Sequence, residues 1–328
     1  MKYNKELAKR FVKDYNFPIP IINEEYFFYY LNLYEEDYGS LTKYKKLMEL
    51  IDSKYNGDIE SFLSNYYDIR DNIITTVLNN DSFKKFNTMD MGVYAIKDKP
   101  NISSNNIYTQ ENIGKFFISI DLKKANFQTL KKIDKEIVLG ADTYEDFISK
   151  FTDLEYVKES KYTREVVFGK LNPKRHITAE KYVICNLYKK IVETHPYLDG
   201  CAVSLANDEI IFNVNFLFYN DKFTCFAFRK QIEEIAMDMG FEVHVDFFHL
   251  KGYNLVFKES RSVRKTFYIK DYFCTDEKFK LIAAPLPYHA MIYKLYKNIP
   301  FDEIDYHFDY EGMNARFCEE FDIDEIKW

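Results

Sequence analysis

The chain lacks most of the features that assign a protein quickly. No stretch approaches the roughly 18 consecutive apolar residues a membrane-spanning helix needs, and Met1, Lys2, Tyr3, Asn4 and Lys5 lead into a polar helix rather than a signal peptide. A cytoplasmic protein with no membrane partner is therefore expected. The five cysteines (Cys185, Cys201, Cys225, Cys274 and Cys318) form no CxxC pair, which excludes a disulfide scaffold and points to free thiols in a reducing compartment. The six histidines do not cluster at metal spacing; His244 and His249 share one strand-like stretch, which argues against zinc. There is no internal repeat and no low-complexity tract. What remains is a chain of 328 residues, 47% apolar and 30% charged, which suffices for a sizeable core and excludes wholesale disorder and collagen. That length is two domains' worth, or one domain with a long extension.

Aromatic residues are abundant, with 28 Tyr and 30 Phe. Phe, Tyr, Ile, Asn and Lys all use A/T-rich codons, so the excess reads as the genome bias of a virus or a low-GC bacterium more than as a base-stacking surface. The net charge of −7 argues against a protein that coats nucleic acid everywhere. Locally the pattern differs. Residues 158–190 are strongly basic and include Lys170, Lys174 and Arg175, and a second basic stretch covers residues 258–265. Residues 301–328 are strongly acidic. A basic middle suits phosphates, with acidic flanks keeping the rest of the surface off them; a solvated helix face is the plainer account of such a run. The acidic tail is a candidate docking surface for a protein partner.

Residues 1 to about 90 show helical spacing, as in Leu7, Phe11 and Tyr15, and again in Tyr44, Leu47 and Ile51. A Ser/Asn cluster at 101–106 reads as a loop and boundary. The period then shortens. Residues 115–120 (KFFISI) predict a strand ending at Asp121, and residues 122–133 return to helical spacing. Helices are expected from about 144 to 190, broken near Asn172-Pro173. A hairpin follows, with strands 201–206 and 209–218 around Asn207-Asp208. A helix over 228–239 stops at Gly240, and a strand over 241–250 ends near Gly252. The fold class expected is α+β: an antiparallel sheet with helices on one face, preceded by an α-helical N-terminal region.

Two places attract attention as metal-binding carboxylates. Asp121 sits where a strand gives way to a helix, and Asp208 and Glu209 sit at the tip of a tight hairpin. If the two strands are neighbours, the acids converge at one sheet edge, as phosphoryl transfer by two hard cations requires. Each position also has a plainer account. Asp121 is placed to cap the following helix, and Asn207-Asp208 are ordinary turn residues.

In order along the chain, these segments resemble the palm of a family-A DNA polymerase, the bacterial polymerase I type. Residues 116–134 (FFISIDLKKANFQTLKKID) resemble its motif A, residues 162–173 (YTREVVFGKLNP) its motif B, and residues 203–214 (VSLANDEIIFNV) its motif C, with Asn207 in place of the usual His. Residues 228–254 resemble the helix and strand that close such a palm. DLKKANF is also similar to a reverse-transcriptase motif, the second choice. The resemblance covers 116–254. The spacing from Asp121 to Asp208 is short for the family, and Ser160 stands where motif B has an arginine.

The resemblance implies a palm-like core over 106–254 with short fingers at about 142–195, an α-helical region over 1–105 in the thumb position, and a C-terminal extension over 255–328. It implies a compact template-dependent nucleotidyltransferase, a DNA or RNA polymerase. Asp121 and Asp208 would hold two Mg2+ ions, with Mn2+ as a substitute, and Glu209 would assist. Arg164 and Lys161 would neutralise the triphosphate of a nucleotide and Phe168 would stack on its base. Asn126, or Phe127 beside it, would stand where the family screens the sugar. Lys170, Lys174 and Arg175 would hold the phosphates of the template and primer. Two alternatives stand beside this one: a non-catalytic palm-derived protein that binds nucleic acid or aids assembly, and an unrelated α+β interaction protein acting through its acidic tail.

Overall fold

The computed structural model describes residues 2–104, 107–169, 171–215, 222–259, 261–274, 279–282 and 284–327. Six helices open the chain: α1 (Lys5–Tyr15), α2 (Glu24–Leu33), α3 (Glu35–Tyr38), α4 (Ser40–Tyr55), α5 (Ile59–Asn79) and α6 (Asp81–Thr88). Side-chain caps from Asn4, Asn23, Asp58 and Asn80 accept from the exposed N–H groups at the starts of α1, α2, α5 and α6. Strand β1 (Phe116–Leu122) follows, then α7 (Ala125–Ile133), α8 (Tyr144–Ser149), α9 (Glu155–Glu159), α10 (Lys161–Gly169) and the long α11 (Pro173–Thr194). The hairpin β2 (Ala202–Leu205) and β3 (Glu209–Asn213), α12 (Lys222–Asp238) and β4 (Val243–Phe257) come next. The chain ends with β5 (Val263–Phe273), β6 (Phe279–Ile282), α13 (Leu286–Tyr296), the small hairpin β7 (His307–Tyr310) and β8 (Met313–Arg316), and β9 (Phe321–Glu325). This is the α+β arrangement expected, with a helical N-terminal region and an antiparallel sheet.

The sheet runs β2-β3-β1-β4-β5-β6, with β9 also paired to β4. Strands β1 to β4, with their two helical crossings, form a β-α-β-β-α-β unit in which β1 lies between β3 and β4. Because side chains alternate along a strand, each face of β1 has its own task. Ile118, Ile120 and Leu122 join Ile210, Phe212, Val243 and Val245 under the apolar faces of α11 and α12. Phe117, Ser119 and Asp121 point the other way. Phe117 packs in a small cluster with Ile107, Ile211 and Phe248, and the two polar residues lie toward the rim.

One expectation about the C-terminal part needs correction. Strand β4 does not end near Gly252; it continues to Phe257, paired with β5 along most of its length and with β9 over Tyr253–Phe257. Gly252 is a point of close approach instead: a Cβ there would lie 2.3 Å from Ile113 Cδ1. Part of the acidic tail is paired within the molecule. Glu320 pairs with Lys258 at 3.2 Å and Asp322 with Arg261 at 3.3 Å, while the buried Lys294 pairs with Asp302 and Asp305 at 2.8 and 2.6 Å. Its last strand, β9, belongs to the main sheet.

The main core joins α1, α2, α4 and α5 to α7–α10, to the far halves of β4 and β5, and to α13. It therefore crosses the boundaries at 105 and 254, and α8–α10 pack with the N-terminal helices. At its centre Asp14, fully buried, accepts from Tyr66 and Tyr156 hydroxyls at 2.7 Å each, from Ser160 Oγ at 2.7 Å and from Arg10 Nε at 2.9 Å. Ser160 is a structural residue of this network. All five cysteines are free, and no described helix is long and apolar enough to cross a membrane.

Candidate active site

The acids singled out along the chain come together. Strand β1 pairs antiparallel with β3 in a register that sets Asp121 opposite Glu209, and Leu122 N–H donates to the Asp208 carbonyl at 2.9 Å. On its other side Asp121 faces His244 of β4. Asp121, Asp208 and Glu209 line one cleft of about 510 Å³, with Ser119, His244 and Lys280 also on its walls. Asp121 is not a helix cap: Lys124, in the left-handed region at φ 48°, occupies that position for α7. Asn207 and Asp208 are central in the turn closed by Ala206 N–H to the Glu209 carbonyl at 2.9 Å, and neither takes a positive φ.

The three carboxylates differ in their surroundings. Burial pushes the Asp121 carboxyl up to about 7, with the Asp208 and Glu209 charges adding to the shift and Lys280 and Lys270 opposing it. Burial, then Glu209, also raises Asp208. Burial acts on Glu209 in the same sense, but Lys270 and two hydrogen bonds outweigh it and its carboxyl is lowered. Glu209 Oε1 accepts from Ser119 Oγ at 2.5 Å and from Lys270 Nζ at 2.6 Å. Lys270 is 2% exposed, and its ammonium sits 4.9 Å from the Phe248 ring centroid. One acid is thus locked to a buried cation and the other two are left facing each other. From the helical layer, Glu180 of α11 adds a further acid: it is buried, its Oε1 lacks a protein partner, and burial followed by the Asp208 charge raises it to about 7. Among the described residues no group of three or more His, Cys, Asp or Glu side chains forms a ready-made metal cage.

The motif-B residues fare differently. Phe168 is fully buried, packed against Phe127, Phe147 and Tyr144, so it has no free face for a base. Phe127 is 2% exposed in the same cluster and cannot screen a sugar. Asn126 is half-buried on the first turn of α7. Arg164 lies 6.0 Å from the Tyr144 ring and is not among the residues of the acid cleft. Lys161 is exposed, stands 3.9 Å from Glu165, and lines a second cavity that shares Lys280 with the acid cleft. Arg175 donates through one nitrogen to the Phe86 and Met89 carbonyls at 2.8 and 2.9 Å, which ties α11 to the end of α6 and makes it a structural contact. Lys174 is exposed on the first turn of α11, and Lys170 lies outside the described residues.

Several residues that line the cleft or act on its acids from beside it carry no motif. Ser119 was within reach, since it lies two residues before Asp121 and hence on the same strand face. Glu180, Lys270 and Lys280 belong to other elements, and only the tertiary pairing delivers them. Lys270 leaves no distinctive trace, since the strand-like run VRKTFYIKDYF also carries Arg264, Lys265 and Asp271. Comparison of the chain with family models, with curated proteins and with solved structures finds no match.

Proposed function

We propose that this protein is a template-dependent nucleotidyltransferase whose active centre is the cleft at the β1/β3 rim. The observation that carries this is the convergence of Asp121 and Asp208 from two adjacent strands on one open, half-buried site, beside a Glu209 already neutralised by Lys270. Burial and neighbouring acids raise the carboxyls of Asp121 and Asp208, and Lys280 on the wall opposes the shift without cancelling it, so the pair gains from a further counter-charge. Such a donor set fits Mg2+, which binds through one or two carboxylates together with water and substrate phosphates rather than in an all-protein cage. Asp121 and Asp208 would hold the ions, two Mg2+ with Mn2+ as a substitute, which when bound supply the charge that activates a 3′ hydroxyl and stabilises departing pyrophosphate.

The chain's own residues have separate tasks. Asp121 and Asp208 lose their protons as the site takes up cations. Lys270 and Ser119 keep Glu209 ionised and oriented. Lys280, on the cleft wall, and Lys161, in the adjoining cavity, face the region where a triphosphate would extend and balance its charge. The partners are nucleoside triphosphates and a nucleic acid template with its primer, and the setting is cytoplasmic. The test is metal-dependent extension of a labelled primer, which should disappear in Asp121→Asn and in Asp208→Asn. Extension that survives both substitutions overturns the proposal. One observation favours a non-catalytic nucleic-acid-binding protein instead: Phe168 and Arg164 are absent from the acid cleft. That alternative requires salt-sensitive binding of nucleic acid with no extension under any metal.

A further inference from the structure

The cavity that shares Lys280 with the acid cleft has a volume of about 620 Å³, within the range of ligand sites, and lies between the N-terminal helices and the corner formed by β6 and α13. Tyr15, Phe17 and Tyr38 form its aromatic wall, Phe279 lies opposite, and Lys161 is on its rim. The Tyr15 and Phe17 rings stack at 5.3 Å with 14° between their planes, and Tyr38 stands edge-on to Phe17 at 6.1 Å. The Tyr15 hydroxyl donates to Glu159 at 2.9 Å, which fixes the ring.

The charge around this cavity is one-sided. Asp37 is neutralised by Lys297 at 2.7 Å and accepts from the Tyr293 hydroxyl at 2.7 Å. His289, bonded to Tyr34 at 3.1 Å, stays uncharged because burial lowers it to about 3. Lys280, which also faces the carboxylates of the acid cleft, and Lys161, with only the long contact to Glu165, remain on the lining, and Lys43 stands 5.0 Å over the Tyr15 ring. Flat rings beside two cations suit a base joined to a phosphate, because stacking accepts any base and the ammonium groups take the phosphate. Phe168, the base platform expected from sequence, is unavailable for that role.

We propose that this cavity holds a nucleotide unit, its base against Tyr15 and Tyr38 and its phosphates toward Lys161 and Lys280, so that the reacting end projects into the acid cleft. This deepens the nucleotidyltransferase proposal and rests on it for the identity of the ligand. The unit belongs either to a free triphosphate or to the end of a strand, and two probes separate these sources: ATP with Mg2+ by calorimetry, and a fluorescein-labelled oligothymidylate by anisotropy. Lys161→Glu and Tyr38→Leu should each weaken binding about tenfold, whereas Lys54→Glu, on the exposed side of α4, should not. Weakening of the ATP signal alone assigns the cavity to the free nucleotide, and weakening of both assigns it to the strand as well. Lys161 is exposed, so its variant should keep the wild-type fold and decides the matter even if Tyr38→Leu does not fold. Unchanged affinity for both probes in Lys161→Glu overturns the proposal. Binding is read without turnover, so the two failures are distinct: cavity-dependent binding with no primer extension sinks only the catalytic proposal, and extension with binding indifferent to Lys161 sinks only this one.

Discussion

Asp14 and Asp121 are two carboxylates of one chain, withdrawn from water in opposite ways. Asp14, in the helical region, is saturated: three hydroxyls and a guanidinium surround it. Asp121, at the rim of the sheet, has Asp208 and Glu209 as neighbours and a proton affinity raised to about 7. Burial is common to both. What differs is the sign of the surroundings, and that separates a group that holds the fold together from one that we propose binds a cation. The hydrogen bonds of Asp14 join helices distant in sequence into one core, whereas the carboxylates of the rim destabilise the fold slightly in return for a site.

Breaking the Asp14 network should have the largest effect. Asp14→Ala leaves Arg10 without its counter-ion and takes an acceptor from three hydroxyls, of which Tyr66 and Ser160 keep contacts to Thr163, and should cost about 3–5 kcal/mol in denaturant unfolding. A loss below about 1 kcal/mol would mean that Asp14 is not the hub the contacts imply. Asp121→Asn should do the reverse: stability at pH 8 equal to wild type or higher, with primer extension reduced about 10²–10³-fold. If both variants lose stability alike, the contrast between the two acids fails.

Lys270→Met sharpens the comparison within the rim itself, since it removes the cation that makes Glu209 resemble Asp14. It should cost about 2 kcal/mol, and Glu209→Gln in the same chain should recover part of that. A double-mutant cycle reads the coupling, and additive losses would show that the pair is not coupled.

A smaller effect should appear in the dependence of stability on pH. The folded state holds the Asp121 proton to about 7, against the ordinary 3.8 of a free aspartate side chain. Protonation of Asp121 therefore stabilises the fold fully below about pH 4, and that contribution fades as pH rises toward 7. Glu180, raised to about 7 from 4.5, works in the same direction. Wild-type stability should fall over this interval, and Asp121→Asn should flatten the slope; an identical slope in the variant excludes Asp121 as its source. Mg2+ should raise the melting temperature of wild type near pH 8 and leave Asp121→Asn, Asp208→Asn unmoved. The smallest effect is expected on the surface, where Glu320→Ala should leave the denaturant midpoint essentially unchanged because its pair with Lys258 is exposed.

The elements legible in the sequence were those with local signals. The strand of residues 115–120 and its end at Asp121 follow from a short β-rich run, and the β2–β3 hairpin from the turn residues Asn207 and Asp208 between two apolar stretches. Both carry their own hydrogen-bonding logic, so neighbouring residues sufficed to place them. Phe127 and Phe168 went astray because an aromatic residue at helical spacing serves a core or a binding platform equally well, and only the packing of Tyr144 and Phe147 against them decides which. Gly252 looked like a strand end because glycine is rare inside strands, yet the cause was Ile113, distant in sequence and pressed against it.

On its own, the sequence determined the period of each segment, the two acid-bearing turns and the free state of the cysteines, because these depend on residues a few positions apart. The tertiary structure alone decided that the C-terminal strands complete the sheet, that Lys270 takes one of the three acids out of play, and that Lys280 joins the acid cleft to the aromatic cavity. Strand pairing brings together residues whose separation along the chain carries no signal, and the electrostatic character of a buried carboxylate depends on what that pairing puts beside it.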